Sequence, residues 1–106
     1  MGTLIWGKKT MSQYQSIQDN KQAIIDIART HGLFNLRVFG SVARGEDTIQ
    51  SDIDFLVDLE TGRSLLDIGG ALVQLEKLLG CKVDIVTEQG LHWYLREKIL
   101  KEARLI

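Results

Sequence analysis

The chain has 106 residues, 44% of them apolar and 25% charged, the make-up of one small globular domain with no room for a second core. Thirteen basic against fourteen acidic side chains leave a formal charge of −1, too little positive excess for a protein whose main task is coating nucleic-acid phosphates. The single cysteine, Cys81, excludes an internal disulfide and a cysteine-rich zinc site, and no apolar run reaches the ~18 residues that cross a bilayer; no membrane partner and no direct nucleic-acid partner are expected, and the cytoplasm is the expected address.

Residues 1–15 read as an N-terminal extension, of which 1–10 look like a leader or an upstream-start segment, and the domain is expected over 16–106. A helix is expected from Ser16, with Asp19 as its capping partner, carrying Ile17, Ile24, Ile27 and Ala28 at helical spacing and ending at His31-Gly32. Asn35 to Phe39 predicts a short strand that stops at Gly40-Ser41. After a polar stretch, Asp52 to Leu59 alternates with period two, so that Ile53, Phe55, Val57 and Leu59 form one apolar face and the acids share the other.

Thr61-Gly62 marks a turn, and Ser64 with Asp67 reads as an N-terminal cap. Leu65, Ile68, Leu72, Leu75 and Leu79 make a core-facing helical stripe closed by Gly80; Gly69-Gly70 weakens it and suggests close packing against a neighbouring backbone. Cys81 to Thr87 predicts a strand with Val83 and Ile85 inward and Asp84 outward, and Leu91 to Arg104 a last helix with Leu91, Leu95, Ile99 and Ala103 along one side. The order helix, strand, strand, helix, strand, helix is that of an α+β (α/β) domain: a small mixed sheet with helices packed on one face.

Chemistry concentrates in Gly40-Ser41, ten intervening residues, and Asp52-Ile53-Asp54. Residues two apart on a strand share a face with Cα atoms roughly 6.5 Å apart, so Asp52 and Asp54 aim at one volume. Like charges that close call for protonation or a bound cation, and hard oxygen ligands favour Mg²⁺. The Gly-Ser bend offers backbone N–H groups and a hydroxyl to a phosphate. Asp84 can complete a second metal site or orient an attacking hydroxyl, and paired ions ~3.5–4 Å apart drive in-line displacement at phosphorus. The implied reaction is nucleotidyl transfer with pyrophosphate leaving. A chance match to these positions in a chain of this size is on the order of one in a thousand.

Gly40-Ser41, Ala43-Arg44-Gly45, Ser51-Asp52-Ile53-Asp54 and Val83-Asp84-Ile85-Val86-Thr87 together resemble the minimal nucleotidyltransferases of the DNA polymerase β superfamily. The resemblance implies a polymerase β-like nucleotidyltransferase fold and two Mg²⁺ ions held by Asp52 and Asp54 with help from Asp84. It implies ATP as substrate, its triphosphate held at Gly40 and Ser41. The short chain and its C-terminal Val-Asp-Ile-Val-Thr-Glu and Leu95-Arg96-Glu97-Lys98 run are similar to the MntA-type antitoxin of HEPN/MNT toxin-antitoxin pairs, whose members transfer AMP to a tyrosine of the partner HEPN ribonuclease toxin. A small-molecule, antibiotic-type nucleotidyltransferase and a non-catalytic antitoxin acting by sequestration are the alternatives.

Asp52 and Asp54 are otherwise solvated acids at a strand mouth, and Asp84 an outward surface acid. Arg44 is either a surface partner of Glu46 or Asp47 or a ligand of the triphosphate. His31 and His92 read as surface or helix-end residues and Cys81 as structural. Trp93 and Tyr94, off the stripe of the last helix, are candidates for a partner interface or for the edge of the core.

Overall fold

A computed structural model describes residues 13–48 and 51–106; the leader expected over 1–10 lies outside them. Among the described residues the order is α1 (Gln13–Asp19), α2 (Lys21–Thr30), β1 (Leu33–Phe39), α3 (Ser41–Arg44), β2 (Ile53–Leu59), α4 (Leu65–Leu79), β3 (Val83–Thr87), a 3₁₀ turn (Glu88–Gly90), α5 (Trp93–Glu102) and β4 (Arg104–Leu105). The strands form one mixed sheet in the order β3-β2-β1-β4, with β2 and β3 parallel and the other pairs antiparallel. This is the expected α+β architecture. No helix among the described residues is long and apolar enough to cross a membrane.

The alternation read in Ile53–Leu59 builds the core. Ile53, Phe55 and Val57 are buried and pack with Leu36, Val38 and Val83 of the neighbouring strands beneath Ile24 and Ala28 of α2 and Ala71 and Leu75 of α4. Leu56, which alternation places among the acids, is also fully buried, outside the main core cluster. Ile99 of α5 is likewise buried and outside that cluster.

Several boundaries differ from expectation. The helix expected from Ser16 is already formed at Gln13, and it divides at Asn20, whose backbone N–H and side-chain amide both donate to the Ser16 carbonyl. Asp19 accepts from the Gln15 amide at 2.9 Å instead of capping a start at Ser16. Strand β1 begins at Leu33, before the expected Asn35; Asn35 has φ 53°, and the pairing with β2 shifts register between Phe34 and Arg37. A left-handed residue inside a strand is a bulge, which periodicity cannot reveal.

The expected capping box of α4 is present: Ser64 Oγ accepts from the Leu66 N–H, and Asp67 Oδ2 accepts from the Ser64 N–H. These bonds satisfy donors that the first turn leaves without intrahelical partners. Leu65, however, is 82% exposed and does not join the core stripe. The backbone neighbour expected at Gly69-Gly70 is not found: a Cβ on Gly69 would have nothing within 4 Å, and Gly70 faces a side chain, a Cβ there lying 2.7 Å from the His31 ring. His31 ends α2 as expected. On α5 only Ile99 of the expected stripe is buried, Leu95 being 37% exposed, and the helix stops at Glu102 because Arg104 and Leu105 pair with Val38 and Arg37 of β1.

Candidate active site

Strand β1 delivers Gly40 to one end of the sheet, and β2 delivers Asp54 beside it, since Phe39 and Asp54 are paired. On its other side Asp54 is the register partner of Asp84 on the parallel strand β3. Two carboxylates 30 positions apart in the chain thus become lateral neighbours on the face opposite the main core. Asp52 precedes β2 and is exposed, as is Asp84, while Asp54 is half-buried.

The three acids interact electrically. Asp54 is pushed up from 3.8 to about 6, first by burial and then by the charges of Asp84 and Asp52; Arg44 opposes the shift and Glu102 adds to it. Burial and like charges act in the same direction on this carboxyl, and the single guanidinium nearby does not offset them. Hard carboxylate oxygens suit Mg²⁺, so the donor chemistry fits that ion, although no three acidic, histidine or cysteine side chains among the described residues converge into a ready-made cage.

Gly40 is required twice over. Its backbone sits at φ 73°, ψ −149°, a region essentially closed to side-chain-bearing residues, and a Cβ on it would lie 2.5 Å from Asp54 Oδ2. The chain turns there into the single-turn helix α3, which opens with Ser41 and ends on Gly45 in the left-handed conformation. The first N–H groups of such a turn have no intrahelical acceptors and are free to meet an anion.

Arg44, exposed at the end of α3, pairs with Glu46 at 2.9 Å as one sequence reading expected, but not with Asp47; its second partner is Glu102 at 3.2 Å. These two carboxylates hold its guanidinium above its ordinary value. Glu102 also accepts from the Gly40 N–H at 2.7 Å. Sequence reasoning missed this residue because a glutamate on a mixed-charge helix is ordinary.

A second missed residue is Gln13, 5% exposed. Its N–H donates to Asp47 and its side-chain amide to the Ser51 carbonyl at 3.0 Å, tying α1 to the segment that leads into Asp52. On the same face as the acids, Arg37 bridges Asp58 and Glu88, and Glu88 also meets Arg96 of α5. Burial, with Asp52 and Glu76 nearby, pushes the Cys81 thiol up and keeps it protonated and inert. Trp93 and Tyr94 are 85% and 61% exposed and touch edge to face, so they do not fill the edge of the core.

Acid pair and glycine bend thus lie together at one end of the sheet. Residues 21–106 match the model of the family described as "Nucleotidyltransferase domain", and the chain belongs to that family. It is 42% identical over 88 residues to the "Putative protein adenylyltransferase MJ0435" of Methanocaldococcus jannaschii, covering 83% of this chain and 95% of that one. It is 38% identical over 78 residues to the "Protein adenylyltransferase MntA" of Thermococcus cleftensis, covering 74% and 79%. Among solved structures, one described as "Structure of putative minimal nucleotidyltransferase" superposes with a TM-score of 0.79 at 45% identity over 91% of this chain and 97% of that one. A "toxin-antitoxin with AMP-PNP" shares the fold, with a TM-score of 0.68 at 23% identity over 81% and 71%.

Proposed function

We infer that this protein transfers AMP from ATP to a hydroxyl on a partner protein, as the antitoxin of a toxin-antitoxin pair whose toxin is of the HEPN type, the acceptor being a tyrosine. The observation that carries the reading is the lateral pairing of Asp54 with Asp84 beneath a Gly40 turn too tight for any side chain. Asp52, Asp54 and Asp84 would hold Mg²⁺, which would supply positive charge to offset the phosphates and the carboxylates together. Gly40 lets the triphosphate approach the bend closely, the Ser41 hydroxyl and the backbone N–H groups that open α3 receive it, and Arg44 meets a phosphate oxygen.

Asp84, exposed on the parallel strand β3, orients the attacking hydroxyl and takes its proton. The hydroxyl oxygen bonds to the α-phosphorus while the bond to the pyrophosphate oxygen breaks, and pyrophosphate leaves. The domain over 16–106 contributes all of these groups. The relatives named as protein adenylyltransferases support a protein acceptor, and the exposed Trp93-Tyr94 pair offers such a partner an aromatic contact. The reaction belongs in the cytoplasm, where ATP, Mg²⁺ and a reduced thiol coexist.

Incubation with α-labelled ATP, Mg²⁺ and the protein encoded next to this one tests the reading. Label on a tyrosine of that protein, lost with Asp52→Ala/Asp54→Ala, is the expected result. Label on a small acceptor would establish the small-molecule reading instead, and a stable complex without label would establish sequestration.

A further inference from the structure

Gly40 and Arg44, the two ends of the α3 turn, share one carboxylate. Glu102 Oε2 accepts from the Gly40 N–H at 2.7 Å, and both Glu102 oxygens lie 3.2–3.3 Å from Arg44 Nη1. The Glu102 side chain is 17% exposed against 42% for Arg44, so the carboxylate is the more confined partner. Its backbone is confined too. Glu102 is the last residue of α5; the Ala103 N–H bonds to the Ile99 carbonyl, and β4 then pairs with Arg37 and Val38 of β1. The strand that carries Gly40 therefore also anchors the segment that carries Glu102, closing a ring through Gly40, α3, Arg44, Glu102 and β4.

Within that ring Arg44 donates through Nε to Glu46 and through Nη1 to Glu102, leaving Nη2 without a hydrogen bond among the described residues. We propose that Glu102 is a positioning residue for the nucleotide: it fixes the Gly40 amide and turns the guanidinium so that Nη2 is presented to a phosphate oxygen. The inference rests on the nucleotide-transfer reading of the same site. Glu102 touches no reacting atom, so its contribution falls on nucleotide affinity. A carboxylate so near a phosphate site also repels the ligand, and the experiment decides which effect wins.

The test is calorimetric titration of the full chain with a Mg²⁺-bound, non-hydrolysable ATP analogue. Glu102→Ala should weaken binding about five- to tenfold, as expected for one charge-assisted hydrogen bond. In transfer assays the loss should appear in KM for ATP, with kcat changed less than about twofold. Glu102→Gln, whose amide oxygen still accepts from Gly40 and Arg44, should recover most of the affinity. In an Arg44→Ala background Glu102→Ala should cost less than in the parent, the remainder being the share that acts through the Gly40 amide. Unchanged or tighter binding by Glu102→Ala, or an undiminished loss in the Arg44→Ala background, would overturn the proposal. Failure of the unsubstituted chain to bind the analogue would overturn this proposal and the nucleotide-transfer reading together; binding without transfer to any acceptor would overturn that reading alone.

Discussion

Replacing Asp54 by asparagine should make the protein more stable while removing its activity. The Asp54 carboxyl is raised from 3.8 to about 6; at about 1.4 kcal/mol per pH unit, holding it ionised in the fold costs at most about 3 kcal/mol. Asp54 is half-buried, so solvent screening reduces this to about 1–2 kcal/mol. The sign follows from linkage. The folded chain holds this proton more tightly than the unfolded chain, so the stabilisation is fully present below pH 4 and is lost as pH rises through about 6. Asp54→Asn keeps the shape and removes the charge. In chelator at pH 8 it should melt roughly 5–10 °C above the parent, converting ~1–2 kcal/mol by the usual entropy of a domain this size. At pH 4 the two should melt together. Added Mg²⁺ should raise the parent's Tm by mass action and leave the asparagine variant nearly unmoved. Melting followed by circular dichroism at pH 4, 6 and 8 measures each arm. A variant no more stable than the parent at pH 8, or a difference independent of pH, would refute the view that burial and the neighbouring acids together make the ionised Asp54 costly.

Gly40→Ala should lower AMP transfer at least a hundredfold and cost about 1–3 kcal/mol of stability, read by transfer assay and denaturant titration, because its Cβ would displace the Asp54 carboxylate from a backbone already at φ 73°. Leu56→Ala, which empties a fully buried position on the acid-bearing face, should cost about 2–5 kcal/mol in urea unfolding despite its polar neighbours. Gly70→Ala should destabilise in the same assay, although alanine in a helix ordinarily gains about 1 kcal/mol over glycine, since the added methyl meets the His31 ring. Ser64→Ala should cost about 1 kcal/mol through loss of the α4 cap.

Much of this was legible in the residues because it rests on local rules. Period-two alternation placed Ile53, Phe55 and Val57 inward, and the cap at Ser64 and the stop at Gly80 follow from groups within one turn of each other. The Gly40-Ser41 and Asp52-x-Asp54 spacing marks residues that the pairing of β1 with β2 brings to one end of the sheet. What escaped depends on contacts across the chain. Leu56 sits on the polar side of its strand by every local criterion and is nevertheless buried. Arg104 and Leu105 extend a helical pattern until β1 captures them as a strand. Glu102 and Gln13 look like surface residues, and their roles come from partners 62 and 34 positions away.

The parallel pairing of β2 with β3 has a consequence for how the protein is made. Asp54 and Asp84 are lateral neighbours only once the intervening α4 has crossed the sheet, and the bend at Gly40 gains its carboxylate clasp only when residue 102 arrives. The first 54 residues already contain the glycine bend and two of the acids, but neither Asp84 nor Glu102. A chain cut short before residue 84 therefore carries the Gly-Ser and Asp-x-Asp motif without the third acid of the cluster and without the clasp on its glycine.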